Sequence, residues 1–185
     1  AVLVTHWGLS GPAVIRLSAW AAEHLFKLNY IFTALVNWCG EPEEVVRNYC
    51  TALKAQGSQK KIVGHPLFGV PKRLWEHLCN KAGVTESHAW AEVSNKIVNR
   101  LIEVVCACPF SIKGKTTFKE EFVTCGGIAL EELDLTTMQI KKLSGVYAAG
   151  ELLHVDGETG GFNFQAAWTT AWVAANAIAK SFGAV

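Results

Sequence analysis

The sequence is short of the features that would assign it most quickly. None of its six cysteines forms a Cys-x-x-Cys pair, and Cys106-Ala107-Cys108 has no matching second pair. A zinc ribbon or a disulfide framework is therefore not expected, and reduced, mostly buried thiols in a cytosolic protein fit better. His65, His77 and His88 have neither an i, i+4 partner nor an H-E-x-x-H context, so no metal site is expected. Lys and Arg total 17 against 16 Asp and Glu, a net charge of +1, with no basic block. Nothing in that balance points to nucleic acid. No apolar run reaches the roughly 18 residues of a membrane span. No stretch reads as a signal or transit peptide, and a cytoplasmic location is expected. There is one methionine, Met138, and the chain opens on AVLVTHWG, which reads as the inside of a strand. No G-x-G-x-x-G follows a strand anywhere.

Half of the residues are hydrophobic, and a length of 185 allows one large domain or two small ones. The organising stretch is Gly145 to Ala179, GVYAAGELLHVDGETGGFNFQAAWTTAWVAANAIA. Val146 to Ala149 read as a short buried strand ended by Gly150. A loop holding Gly157, Gly160 and Gly161 follows, and a long helix opens near Gly161-Phe162-Asn163 and runs to about Lys180. Strand, glycine loop and helix N-terminus together offer unpaired backbone N–H groups to a ligand. Gly160 and Gly161, lacking Cβ, let a flat or anionic group come close. The helix has almost no polar face, so it is expected to be buried as a central helix of an α/β domain. Gln165, Thr169, Thr170 and Asn176 interrupt its apolar run. The alternative is a buried helix whose glycine loop is only a connection.

The remaining chain reads in order as follows. Val2 to Val4 form a strand, and Ser10-Gly11-Pro12 leads into a helix over Ala13 to His24, with Ser10 a candidate N-cap and Pro12 in the first turn. His6 and Ser10 are either a polar pair near a ligand or a cap and a partly buried histidine. A nucleophile elbow at Ser10 needs glycine two residues to each side, and Pro12 takes the second place. Residues 28–38 read as a strand whose Tyr30, Phe32, Ala34, Val36 and Trp38 face a core. Pro42-Glu43-Glu44 opens a helix closed by Gln56-Gly57-Ser58. Residues 59–114 read as mainly helical: one helix from Pro71 to Gly83, a short segment over His88 to Glu92 capped by Ser87, and one from Ser94 to Cys106. Trp75 and Trp90 either touch a substrate or pack in the core. Phe118 to Val123 read as a strand before Thr124-Cys125-Gly126-Gly127-Ile128, where two glycines permit close approach to another backbone or a ligand. Leu130 to Leu133 and Thr136 to Ile140 read as a two-strand excursion with Asp134 in its turn. Cys125 is either a redox thiol or a small buried hydrophobe.

GELLHVDGETGGFNFQAAW resembles the C-terminal flavin signature of the HI0933-like family, the BaiN/RdsA-type NAD(P)/FAD-dependent oxidoreductases. THWGLSGP at residues 5–12 and TCGGI at 124–128 match the family in the expected order. The resemblance implies an α/β fold: the C-terminal part of a Rossmann-like FAD-binding domain plus an inserted strand and mainly helical domain. The implied divisions are 1–27, a strand-helix segment of the inserted domain; 28–114, the inserted helical domain; and 115–185, the C-terminal part of the FAD-binding domain. It further implies a portion of a larger flavoprotein, whose dinucleotide fingerprint lies in an N-terminal segment or on a partner chain. The implied cofactor is FAD, with NAD(P)H as reductant and a small organic molecule as acceptor. The residues carried over to the cofactor are Gly150, Glu151, Asp156, Gly157, Thr159, Gly160, Gly161, Phe162, Asn163 and Gln165. Glu151 would accept from a ribityl hydroxyl, and the helix N-terminus would face the pyrimidine edge, which gains negative charge on reduction. Asp156 and Glu158 would oppose that charge unless they face outward, cap the helix or orient the loop. His154 departs from the pattern, since an acidic residue is common there. No catalytic acid or base is assigned. A reading of another class is a non-catalytic module that completes the flavin pocket of a partner chain.

Overall fold

The computed structural model describes residues 1–116, 124–157 and 161–183. In chain order its elements are β1 (Leu3–Val4), β2 (Leu9–Ser10), α1 (Pro12–Trp20), α2 (Ala22–Lys27), β3 (Ile31–Val36), α3 (Glu43–Ala55), α4 (Lys72–Ala82), α5 (Asn95–Cys106), β4 (Cys108–Lys113), β5 (Leu133–Asp134), β6 (Gln139–Ile140) and α6 (Phe162–Ser181). The chain is mixed α/β. It divides into two compact units, one made of residues 1–30 with 114–185 and the other of Ile31–Lys113. The sequence reading set residues 1–27 with the insertion, whereas their contacts group them with the C-terminal stretch.

In the unit Ile31–Lys113, β3 and β4 pair antiparallel from Ile31 opposite Lys113 to Val36 opposite Cys108. The mainly helical reading of residues 59–114 missed β4, because Pro109 marks the end of α5 and hides the short strand behind it. Phe32, Ala34 and Val36 are the more buried side of β3, as its alternation requires. The helices bury one stripe each: Val46 and Cys50 on α3, Trp75, Leu78 and Cys79 on α4, and Val98, Leu101, Ile102 and Val105 on α5. Ser94 caps α5 by accepting from the Ile97 amide at 3.3 Å. Trp75 and Trp90 are core residues, each 1% exposed, and the Trp75 indole donates to the Ile62 carbonyl at 2.8 Å. Packing is therefore their role. Over residues 88–92 there is no helix: Ala89 bridges Lys61 and residues 90–92 form a turn. The Thr85 amide donates to His88 Nδ1 at 2.9 Å, and that local bond holds a turn instead.

In the other unit, β1 and β2 form a small hairpin, with Leu3 opposite Ser10. Ser10 thus lies in a strand, and α1 is capped by Gly11 with Pro12 in its first turn. The expected single helix over 13–24 is two, α1 and α2, joined at Ala21. β5 and β6 pair across a turn in which Asp134 accepts from the Thr136 amide at 2.9 Å. The expected strand at Val146 to Ala149 is reduced to one bridge, between Gln139 and Tyr147. A strand forms a ladder only with a neighbour, and among the described residues this segment has no longer one. The expected strand over Phe118 to Val123 lies outside the described residues.

α6 differs most from its expectation. Of its residues only Ala174 is buried. Its small-residue side packs on the 3-10 turn at Gly150–Leu152. Phe164, Trp168 and Trp172, spaced four apart on the other side, are 67, 69 and 68% exposed. A helix apolar all round needs partners all round, and among the described residues the aromatic side has none that buries it. No helix among the described residues is long and apolar enough to cross a membrane.

Candidate functional site

The site grows from a backbone junction. The Ile128 amide donates to the Leu152 carbonyl at 2.9 Å, and the His154 amide donates to the Ile128 carbonyl at 2.9 Å, so the two segments run parallel. Gly127 makes the approach possible. A Cβ there would lie 2.6 Å from the Leu152 oxygen and 2.8 Å from the His154 nitrogen, and φ is +140°. The pair of glycines read from the sequence thus serves a backbone contact at Gly127. The Thr124 amide donates to Glu151 Oε1 at 3.0 Å, which adds a side-chain bond to the same junction.

The junction is then tied to α6. The Gly150 amide donates to Thr170 Oγ1 at 3.0 Å, and Thr170 in turn donates to the Ala166 carbonyl at 2.7 Å. At the helix start, Asn163 Oδ1 accepts from the Gly157 amide at 2.7 Å while Asn163 Nδ2 donates to the Gly157 carbonyl at 3.1 Å. This reciprocal pair fixes Gly157 against the first turn. Gly161 is the N-cap, left-handed at φ +98°, with no side-chain cap bond. Among the described residues a Cβ at Gly161 would meet nothing within 4 Å. The first amides of a helix have no intrahelical acceptor. A helix of 20 residues therefore presents its positive end beside open space at Gly161. That arrangement can hold an anionic or electron-rich edge of a flat group.

Of the residues expected at a cofactor, Gly157, Gly161, Phe162 and Asn163 come together at this helix start. Gly150 and Glu151 lie in the 3-10 turn beneath α6. Gln165 bonds along the helix to Thr169 at 3.1 Å. Thr159 and Gly160, with Glu158, lie outside the described residues. Asp156 turns to another neighbour: its carboxylate accepts from the Cys125 thiol, and this bond holds the thiol above its ordinary pKa range. Cys125 is exposed rather than a buried hydrophobe. His154 Nε2 lies 3.4 Å from Glu23 Oε1 on α2. Cys125, His154, Asp156, Glu23, His24 and Lys27 line a cleft of about 340 Å³. Among the described residues no histidine hydrogen-bonds Ser10, so nothing there resembles a serine nucleophile with its base.

Sequence reasoning missed Thr124, Thr170 and Glu23. A threonine inside an apolar helix could have flagged Thr170, because its hydroxyl satisfies a helical carbonyl and still accepts a bond from outside. No local signal marks Glu23, which is brought to His154 by chain folding alone.

A family model described as the HI0933-like protein Rossmann domain matches residues 13–177. The chain is 30% identical over 181 residues to the ribosomal RNA dihydrouridine synthase of Haemophilus influenzae, covering 97% of this chain and 42% of that protein. It is 28% identical to the ribosomal RNA dihydrouridine synthase of Escherichia coli, covering 94% and 41%. It is 25% identical to the 3-dehydro-bile acid delta(4,6)-reductase of Clostridium scindens, covering 96% and 43%. The chain thus spans about two-fifths of the length of each of these relatives.

Proposed function

The chain belongs to the HI0933-like family, and on that premise we propose that it supplies the C-terminal share of the flavin site of an FAD-dependent reductase. One observation carries the reading: the start of α6 is a pinned, left-handed glycine N-cap with room beside its backbone. Among the described residues no side chain fills that space, which supports a flat ring system there. The amides at Phe162 and Asn163 would face the pyrimidine edge of the flavin. Glu151, already oriented by Thr124, would accept from a ribityl hydroxyl. FAD when bound supplies hydride transfer, and NAD(P)H is the proposed reductant. This chain's contribution is to bind, to orient, and to stabilise charge on the ring through the helix dipole.

The proposed acceptor is a small molecule with an activated carbon–carbon double bond. The names dihydrouridine synthase and delta(4,6)-reductase both denote saturation of such a bond. The chain's net charge of +1 favours a small acceptor over an RNA as this chain's own ligand. The uncovered aromatic side of α6 supports the second reading as well, in which the chain completes a flavin pocket with another polypeptide. In either case that side would pack against the segment carrying the dinucleotide fingerprint.

The test is flavin content, measured on this chain alone and together with an upstream half of the kind its relatives contain. Flavin retained only by the combination supports the proposal, and screening enones and uridine derivatives then assigns the acceptor. Flavin retained by neither overturns it. A stable 1:1 complex that holds flavin but reduces no acceptor favours the non-catalytic module.

A further inference from the structure

We propose that Glu23, Cys125 and His154 form a binding site for a divalent cation of the zinc class. Their ligand atoms all lie within 4.8 Å of one another, and they come from three separate segments: α2, the glycine turn at 124–128, and the loop after the 3-10 turn. The donor set is one sulfur, one imidazole nitrogen and one carboxylate oxygen. Calcium and magnesium take oxygen ligands, so this mixture excludes them as preferred occupants. A thiolate and an imidazole together suit zinc, which binds cysteine at about 2.3 Å and histidine at about 2.0 Å.

The geometry needs little adjustment. Tetrahedral bonds of those lengths put ligand atoms about 3.3–3.8 Å apart. His154 Nε2 and Glu23 Oε1 are already 3.4 Å apart. The remaining separations are at most 4.8 Å, between side chains that are all exposed. The backbone beneath two of the ligands is fixed: His154 donates its amide to Ile128, and Ile128 in turn bridges Leu153 directly after the Gly127 contact. Cys125 is the one exposed cysteine of the six. Three protein ligands leave a fourth position, which opens on the 340 Å³ cleft lined by Asp156 and Lys27. A water or the Asp156 carboxylate takes it. Three ligands with an open fourth place is the arrangement of zinc sites that act on a ligand rather than only hold a fold together. Metal binding replaces the thiol proton, so it releases a proton and weakens at low pH.

The experiment is a titration of the metal-free chain with Co²⁺ under reducing, anaerobic conditions, followed by displacement with Zn²⁺. The expected result is one equivalent of Co²⁺ with a near-ultraviolet thiolate-to-cobalt band, abolished in Cys125→Ser. Glu23→Ala and His154→Ala should each weaken binding by at least about tenfold, a loss that even outer-shell partners produce. Because all three side chains are exposed, these variants should fold, and circular dichroism checks that they do. Absence of the band overturns the site. A band that survives Cys125→Ser places the metal on other thiols and also overturns it. So does unchanged affinity in both alanine variants, which would reduce the site to a lone thiol.

Discussion

At Gly127 and Gly161 the same residue type answers two different demands. Both are left-handed, but a methyl at Gly127 would run into backbone at 2.6–2.8 Å, while among the described residues one at Gly161 would meet nothing within 4 Å. Backbone cannot move aside as a flexible side chain can. Gly127→Ala should therefore lower stability by about 2–4 kcal/mol, strain and overlap combined, measured by urea unfolding. Gly161→Ala carries strain alone and should cost about 1–2 kcal/mol. Equal losses in the two variants would show that overlap at the 127–153 junction is not what requires glycine. If the flavin reading holds, the order reverses for cofactor retention. Gly161→Val, folded and tested with the upstream half, should lose most of its bound flavin because its side chain occupies the ring's place. The sequence marked Gly126-Gly127 as a place that permits close approach to another backbone or a ligand. It could not show that the approaching surface is the Leu152–His154 backbone, since contact between segments so far apart in the chain leaves no local trace.

Among the elements, α3, α4 and α5 were legible because each carries its own start signal, its own stop signal and one apolar stripe. Pro71 and Gly83 bracket α4, and Ser94 opens α5, as the residues themselves require. Their cysteines allow a pH prediction. Burial pushes the Cys50 thiol up to about 11 and the Cys79 thiol up to about 12. The Cys106 thiol is raised as well, first by burial and then by Cys39. In the unfolded chain these thiols titrate near about 8.5. The folded form thus holds the protons more tightly, so the contribution is fully present below that pH and is lost as pH climbs towards 11–12. Urea unfolding followed by the buried Trp75 and Trp90 should give a constant midpoint between pH 7 and 8 and a falling one above 9. Cys79→Ala should be less stable at pH 7 and fall less steeply. A parallel fall in that variant would assign the effect to other groups. α6 was legible in length and composition but not in burial. Periodicity says which faces are apolar. It does not say whether the surfaces that cover them belong to the same stretch of chain, and here Phe164, Trp168 and Trp172 face outward. Trp168→Ala should accordingly leave the stability of this chain within about 0.5 kcal/mol, yet weaken its complex with the upstream half.

The two units are unequal as folded bodies, and the inequality can be measured. Ile31–Lys113 holds a core of 18 buried residues running from Val46 to Cys108, with half-buried Trp38, Leu53, Phe68 and Phe110 packed on it. Among the described residues the core of the other unit comprises Leu133, Met138, Ala148, Leu153 and Ala174, and its exposed apolar residues include Trp7, Trp20, Phe26, Phe164, Trp168 and Trp172. Hydrophobic burial is the main term opposing chain entropy. A unit with a small core and a large uncovered apolar surface opens more often and exposes its backbone to a protease. Limited digestion with chymotrypsin should therefore cut first at aromatic sites on α1, α2 and α6, and leave a resistant fragment close to residues 31–113. Mass spectrometry of the early fragments reads the outcome. Early cuts at Trp75 or Trp90 would mean that the helical unit is not the more stable body. Adding the upstream half should protect α6 while leaving the pattern within 31–113 unchanged. Protection spread equally over both units would point to a different docking surface and would remove α6 as the face proposed to meet the upstream half.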